Sequence, residues 1–321
     1  MVRIGPNELH FANPAAYHAI YNTKNRWDKE ARLYQSFNGD LSSFGFLTYA
    51  DAKNRKDVMN RSFSQAAIES AESLIVEKVK SLCAALERSK TADLFFAFRC
   101  MSIDTIMTLC FGNPIHAIDA PGFRAPIVEA MEACSPVFLR FKYSDFYKNM
   151  ILQCPPKLSR ILSPETAGLV DLQELLKQQI NDFADDPEKL KALPHNMTVW
   201  HRLLDIDAHR DKTLPSARSL YDEAQALTFG GADTVGNTLM LGSFHLLRQP
   251  ATMRKLKEEL LSVWPGVEGE EPKLRQLENL PYLNAVIKES LRLSSGVTSG
   301  LLRVVPSTGA SIVGVKVPPG V

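Results

Sequence analysis

The segment Thr228-Phe229-Gly230-Gly231-Ala232-Asp233-Thr234-Val235-Gly236 places a carboxyl, a hydroxyl and three glycines in one short run. The surroundings, from about Ser219 to Leu247, otherwise read as helix. Each interior glycine costs a helix up to about 1 kcal/mol relative to alanine, so the run must have a use. Thr234 follows Gly230 by four residues, so its hydroxyl can take the Gly230 carbonyl from the helix ladder and open a local bulge. Asp233 beside it is an ionisable group in an apolar stretch, positioned to pass protons. Two readings of the glycines stand: they admit something flat and bulky to the backbone, or they let two helices touch through small residues with Asp233 exposed. A phosphate loop is excluded, because Gly236 is followed by Asn237-Thr238 and the run lies inside a helix.

A second candidate is Glu289 with Arg292, three residues apart on one helix face and close enough for a charge-assisted pair. Such a pair is either an ordinary surface contact worth a few tenths of a kcal/mol, by order of magnitude, or a buried one needing further partners to offset its desolvation. Leu291 and Leu293 beside Arg292 hint at burial. The remaining reactive residue types form no constellation. Five cysteines, Cys83, Cys100, Cys110, Cys134 and Cys154, show no CxxC spacing. They predict buried or partly buried free thiols in a reducing compartment, with no disulfide framework and no zinc site. His195, His201 and His209 match no metal-binding spacing and are expected on the surface.

These residues need helices to position them. Apolar residues recur at helical spacing over 64–90, 93–111, 122–134, 165–183, 219–247, 250–263 and 281–293. Asn13-Pro14 reads as a helix start, and Pro250 opens a helix after Gln249 closes one. The 93–111 stretch is the most apolar, but Arg99 and Asp104 interrupt it, which predicts a buried amphipathic helix rather than a membrane span. Period two appears only near the ends: 2–4 and 8–11, then 303–305 and 311–317, the last two read as strands of one small sheet. The fold class is mainly α with minor β-sheet at the two ends.

Composition sets the outer limits. The chain has 321 residues, 45% of them hydrophobic, with Lys+Arg 37 against Asp+Glu 36 and a formal charge of +1. That balance excludes a global basic field for nucleic acid, and the apolar content excludes disorder. No signal-peptide run opens the chain, which predicts a soluble or at most peripheral protein.

Gly230-Gly231-Ala232-Asp233-Thr234 and Glu289-Ser290-Leu291-Arg292, in this order and separation, resemble the two helical signatures of cytochrome P450s. The central helix of that family carries Ala/Gly-Gly-x-Asp/Glu-Thr-Thr/Ser, and a later one Glu-x-x-Arg. The opening residues from Val2 to Phe11 and the stretch from Leu280 to Ser299 are similar to fungal P450s of secondary metabolism, so the resemblance covers the whole chain. It implies a P450-like helical fold, a haem cofactor and insertion of one oxygen atom from dioxygen into a lipophilic small molecule such as a terpenoid. It implies an NADPH-dependent reductase as partner.

By the same resemblance, Thr234 would hydrogen-bond dioxygen and Asp233 would help deliver protons. Gly230 and Gly231 would face the distal side of the macrocycle. Arg303 would meet a haem propionate, and Lys56, with Ala52 where Trp or His is usual, would stand in the other propionate position. Glu289 and Arg292 would form a structural network, and Phe44, Val297 and Thr298 would line the substrate pocket. Val235 replaces the usual Thr/Ser and is expected to affect helix packing.

The family's Phe-x-x-Gly-x-Arg-x-Cys-x-Gly loop would follow Gly320, and none of the five cysteines has that context. Residues 1–321 are therefore expected to be one partial P450 domain, incomplete at both termini. Lacking the Cys ligand and the amino-terminal anchor, they are expected to hold no metal, to retain no thiolate-ligated haem and to be inactive alone. The alternative is a truncated non-catalytic scaffold or apolar-ligand binder. An endoplasmic-reticulum location is implied for the full-length family.

Overall fold

The computed structural model describes residues 1–22, 24–162, 167–196, 198–266, 271–297 and 299–321; the expectation for Thr298 lies outside them. In chain order the elements are β1 (Val2–Gly5), β2 (Glu8–His10), α1 (Pro14–Ile20), β3 (Asp28–Lys29), α2 (Ala31–Tyr34), α3 (Tyr49–Met59), α4 (Gln65–Ser70), α5 (Glu72–Ser89) and α6 (Leu94–Phe111). They continue with α7 (Pro126–Tyr143), α8 (Asp145–Leu152), α9 (Pro156–Leu162), α10 (Ala167–Asp185), α11 (Trp200–Leu203) and α12 (Ala217–Arg248). The last are α13 (Pro250–Val263), α14 (Leu274–Glu278), α15 (Pro281–Leu293), β4 (Arg303–Val304), β5 (Ala310–Ile312) and β6 (Val315–Val317).

Local chemistry fixes many of these boundaries. The Asn13 side chain accepts from the Ala15 N–H, Thr48 from Asp51, Asp93 from Phe95 and Ser216 from Ser219, each satisfying an orphan donor of a first turn. Proline occupies the opening of α7, α13 and α15, where its missing N–H costs nothing. The run expected as one helix over 64–90 is split instead. A turn at Ala71, whose N–H bonds back to both Ala67 and Ile68, separates α4 from α5. The expected 122–134 helix runs on to Tyr143, because Pro136 sits on an exposed side of α7.

The core lies where α6 crosses α12. Trp200, Phe111, Ile103, Met107 and Leu176 are its largest fully enclosed side chains. Helix α6 is long and apolar enough to cross a membrane, yet it is buried on nearly every side rather than amphipathic as expected. Its two charges are consumed internally. Asp104 accepts from the N–H groups of Ala117 and Ile118 at 2.9 and 3.0 Å, and Arg99 reaches across to α12. The histidines also differ from expectation: His209 is buried with its ring on the Leu203 carbonyl, and His195 is half-buried against that of Thr108. The thiols of Cys100, Cys110 and Cys134 are buried, whereas Cys83 is exposed, and no disulfide forms among the described cysteines.

The sheet also departs from the sequence reading. Arg303–Val304 does not join 311–317; it pairs antiparallel with Asp28–Lys29, tying the two ends of the chain together. The stretch 311–317 folds on itself as the hairpin β5–β6. Val313 and Gly314 both take positive φ, 49° and 79°, the geometry of a tight two-residue hairpin turn.

Candidate active site on the central helix

Helix α12 has two functional stretches. Its first turns hold a loop. Asp222 accepts from the Leu41 N–H at 3.0 Å, and Glu223 accepts from the Ser43 N–H and hydroxyl at 2.7 and 2.6 Å. Gln225 donates to the Phe37 carbonyl at 2.8 Å. Glu223, fully enclosed, is also paired at 3.1 Å with Arg55 of α3, whose other guanidinium nitrogen donates to Ser219 at 2.7 Å. Burial pushes the Asp222 carboxyl up, against the opposing Leu41 N–H and Arg218. The clamped loop is so tight that a Cβ on Gly45 would stand 1.9 Å from the Gly39 carbonyl oxygen.

The middle stretch carries the signature residues. Thr234 donates to the Gly230 carbonyl at 2.8 Å, as its spacing predicts, but α12 stays a continuous helix and no bulge opens. The two glycines part company. A Cβ on Gly230 would meet nothing within 4 Å, so this side of the helix faces open space. A Cβ on Gly231 would lie 2.7 Å from Ile106 of α6, so Gly231 faces the neighbouring helix and not the side expected for it. Gly236 likewise lies against α6, 3.1 Å from the Arg99 Cα on the same construction. The helix-contact reading of the glycine run holds for Gly231 and Gly236, whereas Gly230 leaves its side of the helix open. Gly231→Ala is expected to destabilise by about 1–3 kcal/mol through overpacking, whereas Gly230→Ala is expected to stabilise by up to about 1 kcal/mol. Urea unfolding of the two variants checks the opposite signs.

Asp233 is turned toward α6. Its carboxylate accepts from the Arg99 Nε at 2.6 Å while its side chain stays 53% exposed. Arg99 is itself buried, lying 3.6 Å over the Phe95 ring. Thr234 instead faces the loop after α15, where a Cβ on Gly296 would come within 3.7 Å of its methyl group. A hydrogen bond of 2.8 Å between Thr238 and Ser294 anchors that loop to α12. Val297 follows in it, 55% exposed, and Val235 is exposed rather than packed.

Glu289 and Arg292 form the expected pair, two contacts of 2.7 and 2.5 Å, but on the surface. Both side chains are more than half exposed, so the pair is a surface contact and not a buried network. The hydrogen bond from Arg292 holds Glu289 below the usual carboxylate range.

Basic groups gather at one end of the site. Arg303 is half-buried between the rings of Tyr21 and Tyr34, 5.3 and 5.4 Å from their centroids, and donates to the Tyr34 hydroxyl at 2.5 Å. Lys56 on α3 is exposed beside the buried Arg55. Lys29, which no local sequence signal singles out, is the Cα partner of Arg303 in the β3–β4 ladder. Burial, then the charges of Lys56 and Arg303, push its ammonium down to about 8.

Phe44 stacks at 5.0 Å on Tyr34 and at 5.6 Å on Phe37. Phe37 meets Phe138 of α7 at 5.2 Å, and Phe138 meets Phe229 at 5.6 Å. An aromatic arc therefore runs from the basic end to the residue before Gly230. Phe229 could have been suspected from its place beside the glycines; Phe37 and Phe138 carried no local signal.

Known proteins with this arrangement can be compared directly. The cytochrome P450 family model matches residues 1–321. The chain is 27% identical over 321 residues to the cytochrome P450 monooxygenase flvC of Aspergillus flavus, covering 98% of this chain and 58% of that protein. It is 29% identical to the cytochrome P450 monooxygenase MO6277 of Ascocoryne sarcoides, covering 95% and 62%. It is 28% identical to the N-acetyltryptophan 6-hydroxylase ivoC of Emericella nidulans, covering 100% and 63%. It thus spans between 58% and 63% of the length of these relatives. The crystal structure of the cytochrome P450DA heme domain superposes with a TM-score of 0.72 at 15% identity, over 95% of this chain and 63% of that one. With the whole sequence matched and the fold shared, the chain belongs to the cytochrome P450 family.

Proposed function

We propose that the whole protein is a haem-thiolate monooxygenase that inserts one oxygen atom into a lipophilic small molecule, and that α12 supplies the distal wall of its site. The observation that carries this reading is the Gly230–Thr234 turn: a glycine open to space on one side of the helix, with the threonine hydroxyl one turn further on. Haem is the cofactor the family implies, and the residues present fit it. Gly230 offers a face that a side chain would fill, and Lys29, Lys56 and Arg303 offer cations to its two carboxylates. Iron ligation is another matter. Cys100 and Cys110 are pushed up to about 12 by burial, so they are not thiolates near neutral pH. Neither would then serve as the thiolate ligand of the working protein.

When bound, haem supplies dioxygen activation, with electrons from an NADPH-dependent reductase. The chain supplies position and protons. With its own proton on the Gly230 carbonyl, the Thr234 Oγ1 has lone pairs left to accept a hydrogen bond from an O–H group over Gly230. Asp233, half-exposed and held by Arg99, can collect protons from solvent and pass them inward when that contact loosens. Arg303 would hold one carboxylate end of the cofactor and Lys56 the other, while the aromatic arc and Val297 exclude water on the substrate side. The aromatic arc from Phe44 to Phe229 offers ring faces suited to a flat or polycyclic lipophilic molecule, a terpenoid or an aromatic compound. One relative is named as a hydroxylase of N-acetyltryptophan, an aromatic substrate. A location on the endoplasmic-reticulum membrane belongs to the same reading.

Thr234→Ala tests it. In the full-length protein with its reductase, the alanine variant should form product at least about tenfold more slowly, the order expected for one lost hydrogen bond in the transition state. Thr234→Ser should retain most of the rate. Equal loss in both variants would remove the hydroxyl from the chemistry.

A further inference from the structure

Lys142 lies in the last turn of α7, half-buried, and its ammonium crosses to the loop after α15, where it donates to the Ser299 hydroxyl at 3.4 Å. A lysine that merely covers apolar surface turns its charged end to water; this one turns it to a neighbouring loop. Among the described residues no carboxylate lies within ion-pair distance of it. Other cations around the site do find one: Arg55 pairs with Glu223 at 3.1 Å, Arg99 with Asp233 at 2.6 Å and Lys148 with Asp40 at 3.8 Å. Asp145, three residues on from Lys142, heads the first turn of α8, where the helix dipole favours a carboxylate. The Tyr143 ring, 5.4 Å away, is the remaining contact of the Lys142 ammonium. A cation taken partly out of water with one neutral hydrogen bond has an unmet demand for an anion.

Its position ties that demand to the substrate side of the site. Phe138 stands one helical turn before Lys142 on the same face of α7, a spacing that puts their Cβ atoms about 5–6 Å apart. Phe138 meets Phe229 of α12 at 5.6 Å, and Phe229 precedes Gly230. Ser299 belongs to a loop fixed at both ends, by Ser294 on Thr238 at 2.8 Å and by the Tyr21 hydroxyl on the Leu301 carbonyl at 2.7 Å. Within that loop Gly296 lies beside the Thr234 methyl group. The cation therefore sits between two elements that both lead back to the Gly230–Thr234 turn.

We infer that Lys142, with Ser299, anchors a carboxylate of the substrate, so that the protein acts on a lipophilic acid. The inference rests on the monooxygenase reading above and narrows its substrate class. The ammonium has three donors, one of them used on Ser299, and the Ser299 hydroxyl, accepting from Lys142, keeps its own proton to donate. Both can meet one carboxylate through charge-assisted hydrogen bonds. A molecule so held lays its apolar body along Phe138 and Phe229 toward Gly230.

The test uses two acid–ester pairs that differ only at the carboxylate: dehydroabietic acid and 1-naphthaleneacetic acid, each with its methyl ester. Binding to the full-length, haem-loaded protein is measured at pH 7 by equilibrium dialysis. Wild type should bind at least one acid about tenfold or more tightly than its ester, as a charge-assisted hydrogen bond predicts. Lys142→Met should lose about tenfold in that acid's affinity and leave the ester's unchanged. Lys142→Arg should keep most of the affinity, and Ser299→Ala should lose less than Lys142→Met. A Lys142→Met variant that binds the acid like wild type would overturn the anchor. So would a wild-type protein that prefers the esters, binds acid and ester equally, or binds neither. Each of these results leaves the haem site standing, because the protein used is loaded with haem; full-length protein that takes up no haem would overturn the site reading and the inference together. Soret absorbance and far-ultraviolet circular dichroism of each variant separate loss of binding from loss of fold.

Discussion

Replacing Arg55 by leucine should cost the fold about 3–5 kcal/mol, the range for removing one partner of a buried ion pair. The reason is the charge left behind. Glu223 is fully enclosed, and without Arg55 its carboxylate keeps only the two donors of Ser43. The loss should spread beyond the pair, because Arg55 also donates to Ser219 and so joins α3 to the first turns of α12. Those turns clamp the loop whose Gly45 tolerates no side chain. Glu223→Gln keeps one oxygen to accept from the Ser43 N–H and Arg55, its amide can donate to the Ser43 hydroxyl, and Arg55 still donates to Ser219, so it should cost less than Arg55→Leu. Urea unfolding midpoints of the two variants give the comparison; a cost for Arg55→Leu below about 1 kcal/mol would show that the pair is not what fixes α3.

The second large effect is chemical. Asp233→Asn should lower product formation in the full-length protein by about a hundredfold, the lower end of what a positioned acid or base contributes. The substitution is nearly isosteric, and the asparagine carbonyl oxygen can still accept from the Arg99 Nε. The buried guanidinium therefore keeps a partner, and the α6–α12 seam should survive. What disappears is the titratable proton. Thermal stability should move by less than the loss of a buried charge partner would cause, and substrate affinity should hold while turnover falls. A rate within twofold of wild type would leave Asp233 a strut between two helices.

Legibility of this protein in its sequence followed the range of the forces involved. Pro250–Val263 and Pro281–Leu293 could be bounded to the residue, because a proline at the first position and an apolar stripe are local signals. The Thr234–Gly230 hydrogen bond was equally legible, being a matter of spacing within one helix. The roles of Gly230 and Gly231 were not separable, since which side of α12 meets α6 depends on packing. Strand β3 is two residues long and pairs with a strand near the other end of the chain, so no window contains both. Lys29 was missed for that reason, as were Tyr34 under Arg303 and Arg99 on Asp233. The burial hinted at for Arg292 failed because its neighbouring leucine, Leu291, is itself 57% exposed. Flanking apolar residues do not bury a helix face without a partner element on it.

In the proposed site the open side of α12 at Gly230 is the face presented to the macrocycle. Haem content of the full-length protein with Gly230→Leu, read as Soret absorbance per protein at saturating haem, tests it most directly. No neighbour lies within 4 Å of a Cβ placed on Gly230, so a side chain there starts into open space and should leave the thermal transition of the cofactor-free protein unchanged or raised. The variant should fold and fail to take up haem. Full haem loading by Gly230→Leu would contradict it and move the macrocycle away from this turn of the helix.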